Sequence, residues 1–138
     1  MADNALTITS KLQFVKNNQT FTNQVQQKIE SSNTAADSGH HTTQAVATSA
    51  EDVSVGDVDV ASEHYVQLRN QDTVNYVDVI FKIDASNSGI AGRMRPGGSF
   101  GPVRAIGQTA TYPRYQMQAN TAACNVEVLV TDAGVPTS

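Results

Sequence analysis

EHYVQLRNQDTVNYVDVIFKI, residues 63 to 83, is the stretch whose reading decides the fold. In its second half Val74, Tyr76, Asp78 and Ile80 alternate with Asn75, Val77, Val79 and Phe81, the two-residue period that sends neighbouring side chains to opposite faces of a sheet. Most of these positions are β-branched or aromatic, which suits a pleated, half-buried surface. Tyr65, Val66 and Leu68 repeat the pattern more briefly, and Asn70-Gln71-Asp72-Thr73 between the two runs has the chemistry of a tight turn. The stretch predicts a hairpin of two strands.

On the C-terminal side, residues 84–89 read as a loop. The following IAGRMRPGGSFGPVRAIG, residues 90–107, is so rich in glycine and proline that it predicts chain reversals or an extended arm rather than a long regular element. Pro96-Gly97-Gly98 is a turn. Arg93, Arg95 and Arg104 gather the local positive charge around it. The segment has neither the lysine-serine pair of a phosphate-binding loop nor GxGxxG spacing, so the arginines are expected to meet acidic neighbours at an interface. Tyr112, Tyr115 and Met117 lead into a further strand in which Ala122, Cys124, Val126, Val128 and Val130 share one face and Asn125 and Glu127 the other.

On the N-terminal side, Leu6, Ile8, Leu12 and Phe14 alternate with Thr7, Thr9, Lys11 and Gln13, a half-buried strand. Residues 16–20 are turn material. Phe21, Val25 and Ile29 then recur every four residues; a helix would also align them, but a run of Thr, Asn and Gln favours a strand. Residues 1–30 are thus expected to be an extended, strand-forming region. Residues 31–44, SSNTAADSGHHTTQ, read as an exposed loop, and Gln44–Thr48 as another short strand. Val53 and Val55, then Val58 and Val60, flank a turn or bulge at Gly56-Asp57.

Two groups invite a metal. His40-His41 would need converging partners, yet neighbours on a strand diverge. Asp52, Asp57 and Asp59 lack the register of a calcium-binding EF-hand loop. No metal and no cofactor is expected. Cys124 is the single cysteine and sits among valines, so it is read as a core thiol rather than a nucleophile. No catalytic constellation emerges.

The 138 residues fit one domain. Hydrophobic residues make up 39%, low enough to suit thin sheets with polar faces or a subunit that completes its core against neighbours. Thirteen acids against nine bases give a net charge of −4, which repels phosphate backbones and argues against direct nucleic-acid binding. No apolar run is long enough to span a membrane, and the start lacks the pattern of a secretion signal, so synthesis in a cytoplasm is expected. Many short strands with regular turn signals predict an all-β chain: a single domain over residues 1–138 built as an antiparallel β-sandwich or jelly roll.

YVQLRNQDTVNYVDV, RPGGSFGPVRA and YQMQANTAACNVEVLVTDAG together resemble a pattern of small virion structural proteins of tailed bacteriophages. The resemblance covers about residues 63–131 and is carried by Tyr65, Leu68, Asn70, Asp72, Asn75, Tyr76, Val77, Ala119, Asn120, Thr121, Ala122 and Ala123. The chain departs from the pattern at Arg93-Met94-Arg95, where the family usually has a lysine-rich approach to the turn. The resemblance implies a non-enzymatic capsid decoration or cement subunit of the virion, commonly a homotrimer, whose partners are its own copies and the major capsid protein. Head–tail joining or a place in the tail is the alternative within that class. A carbohydrate- or receptor-binding module using Tyr76, Tyr112 and Tyr115 is the alternative outside it.

Overall fold

Cys124, Val126, Val128 and Val130 are all buried, as their shared parity requires, while Glu127 and Leu129 face outward. The computed structural model describes residues 5–30, 39–56, 58, 64–84, 86–105 and 114–132. Every element in it is a strand: β1 (Ala5–Lys16), β2 (Gln19–Glu30), β3 (Gly39–Val46), β4 (Glu51–Asp52), β5 (His64–Asn70), β6 (Val77–Lys82), β7 (Ser88–Met94), β8 (Ser99–Ala105), β9 (Tyr115–Ala119) and β10 (Cys124–Asp132).

The chain gathers into two compact units, Met1–Ala35 with Gly134–Ser138, and Ala36–Ala133. The second is a β-sandwich. Its sheets run β3-β10-β5-β8 and β4-β9-β6-β7, with all pairings antiparallel. Successive strands switch sheets at every step except β6 to β7, and this strand order is that of a jelly roll. One core lies between the sheets. Val66, Leu68, Val126, Val128 and Val130 meet Val77, Val79, Met94, Met117 and Ala119, all of them buried.

The jelly-roll order corrects the reading of residues 63–83. Two strands are present, but they do not pair. The neighbours of β5 are β10 and β8, and those of β6 are β7 and β9, so residues 71–76 form an arch that carries the chain from one sheet to the other. Strand β6 also starts at Val77 rather than Val74, which is exposed. The arginine-containing segment needs correction as well: Gly92, Gly97, Gly98 and Gly101 lie within or beside two seven-residue strands, β7 and β8. Gly92 takes part in β7 where a Cβ would come within 3.2 Å of the Phe100 ring, and Gly101 has φ +94 beside the irregular register of β5 with β8. Pro96-Gly97 is the expected turn. Finally, the loop expected over residues 31–44 is strand β3 from Gly39 onward, paired along β10; residues 31–38 lie outside the described ones.

In the first unit β1 and β2 pair as a hairpin from Ala5↔Glu30 to Lys16↔Gln19. Asn17 and Asn18 both adopt positive φ, 53 and 63, the pair of left-handed residues that a two-residue turn of matching twist demands and that asparagine tolerates. The strand reading of residues 21–29 holds over the helical one.

Candidate interaction surface

The three arginines singled out by the sequence are not brought together. Arg93 lies on β7 and Arg104 on β8, in different sheets, each followed by an inward residue, Met94 and Ala105 respectively. Both are therefore directed outward. Arg93 is opposite Asp78 across β6 and β7, donating from Nε to Oδ1 at 2.7 Å and from Nη2 to Oδ2 at 3.3 Å, and its guanidinium lies 3.8 Å from the centre of the Tyr76 ring. Arg104 is opposite Tyr65, donates to its hydroxyl at 3.3 Å and lies over its ring at 5.6 Å. Both are cross-strand braces on the outer faces. Arg95 differs: it sits in the turn between β7 and β8 with its side chain exposed, and no ion pair is formed by it among the described residues.

Asn70, Asp72, Asn75, Tyr76, Asn120 and Thr121 do converge. Asn70 is fully buried, and its Nδ2 donates to the carbonyls of Asn75 at 2.9 Å and Met94 at 3.1 Å, while its Oδ1 accepts from the Asp72 N–H at 3.0 Å. Its backbone exchanges two further bonds with the arginine turn, Asn70 N–H to Gly98 O at 2.8 Å and Gly97 N–H to Asn70 O at 3.1 Å. Asp72 accepts from the N–H groups of Val74 and Asn75, and these bonds, Asn75 first, hold its carboxyl below the usual carboxylate range. Thr121 Oγ1 donates to Asn75 Oδ1 at 2.8 Å, and Asn120 N–H donates to Tyr76 O at 3.2 Å. Asn70 thus ties the 71–76 arch to the 95–98 turn, the Asp72 carboxylate closes the arch on itself, and Asn75 and Tyr76 hold the 120–121 turn. This set is made of bonds from loop to loop. It fixes the loops at one end of the sandwich.

The histidines separate as strand neighbours should. His40 Nε2 shares a hydrogen bond of 2.9 Å with Ser54 Oγ, and on the opposite face His41 Nε2 meets Glu127 Oε2 at 2.8 Å. Asp52 accepts from Gln116 Nε2 at 3.0 Å, while Asp57 and Asp59 lie outside the described residues. Among the described residues no three His, Cys, Asp or Glu side chains form a group that could hold a metal ion. The tyrosines offer little as stacking platforms. Tyr115 is in the core, edge-on to Phe81 and Phe100 at 5.6 and 5.5 Å, the Tyr76 ring is covered by Arg93, and Tyr112 lies outside the described residues. A shallow depression of about 430 Å³ on the outer face of the β3-β10-β5-β8 sheet is lined by His41, Gln67, Arg69, Glu127 and Leu129 among others.

The surface with the strongest physical demand is on the β1–β2 hairpin. Register places Leu6, Ile8, Leu12 and Phe14 of β1 on the same face as Phe21 and Val25 of β2, whereas Thr7, Thr9, Lys11 and Gln13 share the other with Thr22, Gln24, Gln26 and Lys28. Phe14 and Phe21 are directly opposite, with ring centres 6.3 Å apart. Leu12 is 76% exposed, Phe21 58%, Phe14 56% and Val25 54%. The alternation predicts a half-buried strand here, and the structure leaves Leu12 and Phe14 uncovered instead.

A scan against protein-family models and searches of curated proteins and of solved structures found no match to this chain.

Proposed function

We propose that this chain is a non-enzymatic structural subunit of a tailed-phage virion, made in the host cytoplasm and incorporated as a capsid decoration or cement protein. The observation that carries the reading is the uncovered apolar face of the β1–β2 ribbon. A two-stranded ribbon is marginally stable by itself, and exposed apolar patches of this kind mark surfaces that become buried in use. A cement subunit works by such burial, adding stability to a shell by mass action.

Two further features support it. The motif residues shared with the phage pattern, Asn70, Asp72, Asn75, Asn120 and Thr121, all serve loop architecture. The jelly roll is a frequent choice for viral shell proteins and also for lectins, so it favours the class only by analogy. The loss of Tyr115 and Tyr76 as stacking faces tips the balance away from the carbohydrate-binding reading. In this reading Arg95 is a contact to the acidic surface of a neighbour, while Arg93 and Arg104 shape the faces beside it.

The test is mass spectrometry of purified particles of the encoding phage. The chain should be present at a fixed copy number per shell; its absence from washed particles would overturn the proposal.

A further inference from the structure

We infer that the apolar face of the β1–β2 hairpin packs against the same face of other copies of this chain, so that the ribbons form the subunit's own oligomer core. The inference deepens the assembly reading above and rests on it for its biological meaning.

Three observations select a second copy as the occupant. The first is area. Each copy brings two phenylalanines, each covering about 150–250 Å² when fully buried, and more than half of each ring is still exposed, as are Leu12 and Val25. Two such faces approach the roughly 1,000 Å² that a specific interface needs, and three exceed it.

The second is the placement of charge. Lys11 and Lys28 both lie on the polar face, and between Leu6 and Phe14 the apolar face carries only uncharged polar residues, Ser10, Asn23 and Gln27. Like faces can therefore close on one another from Leu6 to Phe14 without desolvating an ammonium group, Lys16 of the same face lying beyond that span beside the turn. The third is geometry. With 12-residue strands the ribbon is roughly 40 Å long, and its apolar side chains run from Leu6 to the Phe14–Phe21 pair next to the turn. A strip of this shape is matched by another strip like it.

The experiment uses the full chain. Light scattering should show a defined oligomer at micromolar concentration, and Leu12→Lys should raise its dissociation constant by about 30-fold or more, the size of a hot-spot loss. Gln24→Lys, on the polar face, should leave it unchanged. Single cysteines provide a second reading that does not depend on whether Leu12→Lys disturbs the ribbon. Asn23→Cys, on the apolar face, should form disulfide-linked copies on mild oxidation, while Gln24→Cys should not, the native Cys124 being buried. A wild-type monomer, an oligomer indifferent to Leu12→Lys, or equal cross-linking from both cysteines would overturn the inference. An oligomer that forms as stated but is missing from phage particles would sink the virion reading and leave this one standing.

Discussion

The side-chain amide of Asn70 donates to the main-chain carbonyl of Met94 at 3.1 Å, in a place where neither group meets solvent. That bond joins the end of β5 in one sheet to the end of β7 in the other, so the arch and the arginine turn are held by a residue from the opposite layer. Asn70→Ala should destabilise the sandwich by about 2–4 kcal/mol, because several bonds are lost and buried carbonyls are left without a donor. Urea denaturation gives the value. A cost under about 0.5 kcal/mol would show that the loop end is held by the backbone bonds alone.

Asp72 makes the same region sensitive to acid. Its folded carboxyl titrates below the ordinary value because it accepts N–H bonds from Asn75 and Val74. The contribution is fully present above the unfolded pKa, about 3.9, and is lost as pH falls through the lower folded value. Asp84, held down by Asn87 and the Ser86 N–H, acts in the same direction. Stability should therefore fall as pH drops below about 4, and Asp72→Asn should lessen that fall. Thermal melts from pH 7 to pH 2.5 check it.

The Cys124 thiol is buried, and burial, with the negative charge of Asp72 as the lesser cause, pushes its pKa up. Both effects suppress the reactive thiolate. Native protein should react slowly with a disulfide reagent at pH 8, and urea-unfolded protein rapidly. Fast native labelling would mean that β10 presents its other face to the core.

These outcomes bear on what could be read from the chain alone. The inward face of β10 and the apolar face of β1–β2 were legible because alternation is a local property of Cys124–Val130 and Leu6–Phe14. The pairing of β5 was not. His64–Asn70 finds its partners in β10 and β8, far along the chain, whereas a polar turn such as Asn70–Thr73 serves a hairpin and an arch equally well. Strands β7 and β8 were hidden by glycine. Gly92 is there to accommodate Phe100, a tertiary contact that composition cannot announce. Asn70 was visible as a turn residue, but nothing local foretold that its amide would reach Met94. The three arginines are close in sequence, yet sheet switching between β7 and β8 sends Arg93 and Arg104 to different layers, and Arg104 lies at the end of β8 remote from the turn.

Arg93 and Arg95 should separate in experiment. Arg93→Ala removes an ion pair whose arginine is 49% exposed, so the stability loss, discounted for solvent screening, should be under about 1 kcal/mol. Arg95→Glu should leave the melting temperature unchanged, since the side chain is exposed, and should weaken attachment to the shell, by under about 1 kcal/mol at a rim and by roughly 2–5 kcal/mol if the contact is buried. Unchanged attachment with a markedly lower melting temperature would make Arg95 an internal brace.

The most direct measurement is a sedimentation isotherm of purified chain against expanded heads of the encoding phage that lack it, with the melting temperature of the heads followed in parallel. The account predicts saturable co-sedimentation and a rise in the heads' melting temperature as sites fill. Chain that stays in the supernatant at every concentration, with heads that melt as they do alone, would contradict it.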